Sequence, residues 1–119
     1  MWQLTNKGGE SVSTIRLQAK VNKEGITEVK ALIQHPMEGG GRKDLETGKL
    51  VPAHFIDKVT CEHNGKIVMS ADWGSGISKN PYLSFRFKGA AKGEKVKLSW
   101  KDNKDQTDSR EVKIRQSRR

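Results

Sequence analysis

Tyr82-Leu83-Ser84-Phe85-Arg86-Phe87 and, a short break later, Lys95-Val96-Lys97-Leu98-Ser99-Trp100 are the stretches whose reading decides the fold. In the first, Leu83, Phe85 and Phe87 share one face; in the second, Val96, Leu98 and Trp100 do. Side chains of an extended strand alternate between two faces, so apolar residues at every second position describe a half-buried strand and not a helix. The outward positions are polar in both. The same period runs through Val29, Ala31 and Ile33 within residues 27–33, and through Val112 and Ile114 within Glu111-Val112-Lys113-Ile114-Arg115. Weaker strands fit residues 14–19 and 55–61.

Working outward from these segments, the connections are punctuated by turn residues. Asn64-Gly65 joins residues 55–61 to Ile67-Val68-Met69-Ser70-Ala71, and this dipeptide enters positive φ at low cost, as a type I′ hairpin turn requires. Residues 22–25, 88–93 and 102–108 read as further turns. No segment carries the 3.6-residue periodicity of an amphipathic helix. About seven short strands with turn-like links predict an all-β chain, a single immunoglobulin-like antiparallel β-sandwich. Its span is residues 13–116, between a flexible segment over 1–12 and a basic tail at 117–119.

Two connections are long. Residues 34–53 show neither period, and connections of that length in compact domains are commonly functional. Residues 72–81 hold Trp73 among glycines and end in Asn80-Pro81.

With 119 residues the chain has room for one hydrophobic core, and 33% apolar residues give it a modest one. No run approaches the length of a membrane span, and the first residues lack the apolar stretch of a signal peptide. A net charge of +9 favours an acidic partner without choosing which. The single cysteine, Cys61, rules out an intramolecular disulfide; it shares a strand face with Phe55 and Val59 and reads as a core residue.

The chemistries open to such a chain are soon narrowed. His35, His54, Cys61, His63 and Met69 are the ligand types of a blue-copper site, but Cys61 and Met69 flank a tight hairpin instead of a ligand loop, so no metal site is expected. Gly39-Gly40-Gly41-Arg42-Lys43 lacks the spacing and the following helix of a phosphate loop, and Gly48-Lys49 is followed by Leu50. No serine or cysteine sits on a strained elbow beside a histidine, so no enzyme and no cofactor are expected. A free-standing basic module for nucleic acid is the alternative, but Trp2, Trp73 and Tyr82 are few aromatics for stacking bases, and the cations spread over outward strand positions.

Gln34-His35-Pro36-Met37-Glu38, then Arg42-Lys43-Asp44, Gly48-Lys49 and Val51-Pro52, followed by Phe55-Ile56, Val59-Thr60-Cys61, Asn64-Gly65, Ala71-Asp72 and Asn80-Pro81-Tyr82-Leu83-Ser84-Phe85, resemble in order the sulfur-oxidation protein family SoxZ. The resemblance covers residues 29–114; residues 1–13 have no counterpart in it. It implies an immunoglobulin-like sandwich and a non-catalytic subunit paired with SoxY, whose Gly-Gly-Cys-Gly-Gly arm carries the sulfur intermediates of thiosulfate oxidation. This chain ends in Gln116-Ser117-Arg118-Arg119, without such an arm. The resemblance further implies a periplasmic heterodimer, exported with the signal-bearing partner, with transient contacts to other Sox enzymes; self-association of the isolated chain stays open. His35, Met37, Arg42 and Phe55 near the first long loop, and Trp73, Asn80 and Tyr82 near the second, are the candidate partner contacts. For Met37 and Phe55 the competing reading is a cover over the end of the core, and for Asn80 a turn cap.

Overall fold

The computed structural model describes residues 13–118, so the segment 1–12 and Arg119 lie outside the described residues. Eight strands are present: β1 (Ile15–Val21), β2 (Ile26–Ile33), β3 (Ile56–His63), β4 (Lys66–Asp72), β5 (Tyr82–Lys88), β6 (Lys95–Asp102), β7 (Thr107–Lys113) and β8 (Arg115–Gln116). They form two four-stranded sheets, ordered β5-β2-β1-β8 and β4-β3-β6-β7, with no helix among the described residues. The β-sandwich is as the alternation requires. Between the sheets lie Ile15, Ala19, Val29, Ala31 and Ile33 from one side and Ile56, Val59, Cys61, Val96 and Leu98 from the other, all buried.

The end of the chain departs from the expected pattern. Residues 111–115 do not form one strand: β7 stops at Lys113, the buried Ile114 acts as a pivot, and β8 crosses to the other sheet, where it runs parallel to β1. β7 also begins earlier than the period suggests. Its first inward positions are Asp108 and Arg110, charged residues that hide the alternation. Both are satisfied across the sandwich: Asp108 Oδ2 accepts from the Thr14 backbone N–H at 2.8 Å and the Thr14 hydroxyl at 2.7 Å, and Arg110 Nη1 donates to the Ile15 carbonyl at 3.1 Å. These bonds close the β1/β7 side of the sandwich.

The hairpin at Asn64-Gly65 is a two-residue turn between the paired His63 and Lys66, with φ of 50° and 78°, both left-handed as a type I′ turn demands. A Cβ added at Gly65 would meet nothing within 4 Å, so replacing it tests backbone strain alone. Gly65→Ala is expected to lower stability by about 1 kcal/mol in urea unfolding, from the cost of a left-handed conformation to a residue with a Cβ.

Candidate functional site

Both long connections emerge at one end of the sandwich, and hydrogen bonds tie them together there. Asn80, in a left-handed conformation (φ 51°), accepts the His35 backbone N–H through Oδ1 at 3.0 Å and donates its own backbone N–H to the His35 carbonyl at 3.0 Å. The Ile33 N–H reaches the Pro81 carbonyl, and Gly39 lies against Ser75. The first connection is not structureless. Glu38 pairs with His54, and Lys43 with Leu50, so residues 38–54 form a short ladder that doubles back on itself as an arm. At its tip Asp44 Oδ1 accepts the Glu46 and Thr47 N–H groups, an Asx turn that fixes the reversal. Leu45 is 97% exposed and Leu50 64%, while Arg42 donates to both oxygens of Glu38 at 2.9 Å along the side of the arm.

The arm is anchored to the sandwich by a cluster that sequence reading missed. Asp102, the last residue of β6, is fully buried and receives four donors. His35 Nε2 lies 3.0 Å and His54 Nε2 2.7 Å from its Oδ2; the Lys104 and Gln106 backbone N–H groups donate to its Oδ1 at 3.0 and 2.9 Å. The proton positions follow from the partners. The Met37 backbone N–H donates to His35 Nδ1 at 3.1 Å, so Nδ1 is the acceptor and Nε2 the donor of the ring. His54 Nε2 faces two acceptors, Asp102 and Gln106 Oε1, and is likewise the donor. Burial pushes the Asp102 carboxyl up, but the bonds from His35, the Gln106 backbone, His54 and the Lys104 backbone outweigh it and hold the group below the usual carboxylate range. The His35 ring packs edge-on against Trp100, at 5.1 Å between centroids.

These three side chains are also spaced as metal ligands could be, with the ligating atoms within 4.8 Å of one another. The donor set argues otherwise. Coordination through His35 Nε2 would require a hydrogen on Nδ1, and the Met37 N–H already occupies that side of the ring. The bonds to the two imidazoles come from a carboxylate, a side-chain amide oxygen and a backbone N–H. The cluster is a hydrogen-bonded post for the arm.

The candidate contacts divide accordingly. His35 and Met37 are buried within the chain: one is held by Asp102, and the other's sulfur accepts the Ile56 N–H at 3.3 Å, the core-cover reading for Met37. Asn80 is an exposed cap that joins the two loops. Phe55 is half-buried against the core, its N–H donated to Asn103 Oδ1 at 2.8 Å. Trp73 is half-buried, and Arg42 and Tyr82 are exposed. Of the copper-type residues, His35 and His54 meet at Asp102, Cys61 is the register partner of Met69 across β3 and β4, and His63 bonds Glu94 Oε1 at 2.8 Å.

The family described as "Sulphur oxidation protein SoxZ" matches residues 15–113, from the first residue of β1 to the last of β7. The chain belongs to the SoxZ family. Membership makes it a component of the sulfur-oxidation (Sox) system, and the matched range contains the arm, both loops and the Asp102 cluster. No curated protein matches the sequence. Among solved structures, this SoxZ-family sandwich is similar to a superoxide reductase (neelaredoxin) from Ignicoccus hospitalis, at 15% identity and a TM-score of 0.58, over 87% of this chain and 80% of that one. It is also similar to a superoxide reductase (neelaredoxin) from Archaeoglobus fulgidus in the reduced form, at 16% identity and 0.58, over 96% and 98%. At such identity the likeness is one of fold alone.

Proposed function

We propose that this chain is the non-catalytic subunit of a SoxYZ carrier complex, binding SoxY and presenting it to other Sox enzymes in the periplasm. Membership of the SoxZ family across nearly the whole sandwich carries this reading. The geometry agrees with a binding role. Apolar side chains held in water by an ordered arm cost solvation that a partner's surface would recover, and the exposed Leu45 and Leu50 share the arm with the exposed Arg42, a combination suited to an interface core and its rim. The chain's own thiol is suited to no carrier chemistry: Cys61 is fully buried, and burial together with the Glu62 charge pushes its pKa up to about 12. Covalent sulfur chemistry then falls to the partner's arm.

Co-expression with SoxY tests the reading. The two chains should co-purify at equal stoichiometry, and Leu45→Glu combined with Arg42→Glu should weaken the complex about tenfold or more, because a few central residues dominate most interfaces. The melting temperature of the isolated chain should fall by no more than a few degrees, since both side chains are exposed and only the surface Arg42–Glu38 pair is lost. Separate elution of the two wild-type chains would refute the proposal; full binding by the double variant would move the interface off the arm.

A further inference from the structure

At the end of the sandwich opposite the arm, the crossing from β7 to β8 forms an open groove. Lys20, Lys92, Lys113, Arg115 and Arg118 line it, and no carboxylate does. The placement follows from the fold. Ile114 points inward and is buried, so Lys113 and Arg115 on either side of it point out. Arg115 is the register partner of Lys20 on β1, which brings those two cations side by side. The turn before β6 is bound to the pivot from both directions: the Gly93 N–H donates to the Ile114 carbonyl at 2.9 Å, and the Ile114 N–H to the Glu94 carbonyl at 2.7 Å. Lys92 is thereby fixed beside them.

The carboxylates nearest in sequence are committed elsewhere. Glu94 Oε1 accepts the Ala91 N–H at 2.8 Å and bonds His63 at 2.8 Å, while its Oε2 accepts Asn64 Nδ2 at 3.2 Å. Glu111 pairs with Lys95 at 3.7 Å. None of the five groove cations is in an ion pair with a described carboxylate, whereas Lys30, Arg42, Lys58, Arg86, Lys95 and Lys101 each are. Five like charges around one groove repel one another, and an anionic occupant relieves that repulsion most where salt screens it least.

From this we infer that the β7/β8 groove is a docking site for an acidic, extended segment of a partner protein. The occupant follows from the kind of cations present. Lysine and arginine tips on an open surface each add up to about fivefold in affinity, so a single small anion gains little, while a segment carrying several carboxylates sums the contributions. Nucleic acid is the poorer fit, since no aromatic side chain lines the groove to stack a base. The site is separate from the arm and stands or falls independently of SoxY binding there.

The test uses the full chain and a fluorescein-labelled peptide of alternating aspartate and glycine, followed by anisotropy at low and at physiological salt. Binding should weaken as salt rises. Lys92→Glu with Arg115→Glu turns two attractions into repulsions and should raise Kd about tenfold or more. Lys43→Glu with Lys104→Glu, equal in charge change but at the opposite end of the sandwich, should leave Kd within about twofold of wild type. Equal losses in the two variants would show only a net-charge effect and overturn the proposal. Tighter binding of a labelled oligothymidylate than of the peptide, or displacement of the peptide by millimolar sulfate alone, would overturn it as well. Unchanged far-ultraviolet circular dichroism establishes that both variants are folded, as expected for exposed positions.

Discussion

Asp102→Ala is expected to lower unfolding free energy by about 3–5 kcal/mol, among the largest effects available to a single substitution outside the apolar core. The carboxylate is completely buried and accepts from two imidazoles and two backbone amides. Its removal leaves His35 Nε2 and the Lys104 and Gln106 amides without their acceptor around a small void, while His54 keeps only Gln106 Oε1 at 3.1 Å, and a buried donor without an acceptor costs about 1–3 kcal/mol. Asp102→Asn should fall between the two. Its amide oxygen can still serve the Lys104 and Gln106 N–H groups, but the NH₂ would oppose His35 Nε2–H, whose tautomer the Met37 N–H fixes.

The pH dependence has a definite sign. The carboxyl is depressed in the folded state, so its contribution is present above the ordinary aspartate range and is lost as pH falls through the lower folded value. Wild type should therefore lose stability on acidification with a slope that Asp102→Ala lacks. Limited proteolysis provides the local readout. Trypsin should cut after Arg42, Lys43 or Lys49 faster in the alanine variant, because the arm loses the post that holds His54 and, through the Glu38 pairing, its base. An alanine variant of wild-type stability and unchanged cleavage would remove the anchoring role.

The sandwich was legible where inward residues are apolar. Leu83, Phe85 and Phe87, or Val96, Leu98 and Trp100, state their strands by alternation, and Asn64-Gly65 states its turn through the conformation it tolerates. Legibility failed where inward positions are polar. The start of β7 was lost to the turn read over 102–108 because Asp108 and Arg110 break the pattern, and the bonds that make them acceptable inside come from Thr14 and Ile15, more than ninety residues away in the chain. Asp102 is the same case with a signal attached. It continues the Val96, Leu98, Trp100 period by one step, so a carboxylate at an inward position already demanded buried donors, and His35 and His54 were the natural suppliers. What no periodicity could give is the pairing of Glu38 with His54 and of Lys43 with Leu50, because single bridges have no period. That gap is why the burial of His35 went unseen and that of Met37 stayed open: a loop without a pattern offers no inside and no outside.

At high pH the controlling group is Cys61. Its thiol lies between the sheets, and burial raises its pKa from about 9 to about 12, helped by the neighbouring Glu62 charge. The folded value lies above the unfolded one, so the contribution is intact below pH about 9, falls as pH rises beyond it, and totals about 4 kcal/mol by pH 12. At pH 11 the loss is about 3 kcal/mol on the same linkage. The clean measurement is a difference between wild type and Cys61→Ala, in which every group the two proteins share cancels. Near neutrality the alanine variant should be the less stable by about 1–2 kcal/mol, from the sulfur removed from the core. With nothing to ionise at position 61, it should become the more stable of the two by pH 11. The crossing of the two curves is the diagnostic feature, since lost packing alone would displace them in parallel. Thiol accessibility gives the matching kinetic result: a disulfide reagent at neutral pH should react with Cys61 only as fast as the sandwich opens, and at once in denaturant. Rapid reaction with the native protein would place the thiol at the surface and revive the role in sulfur chemistry that its burial denies it.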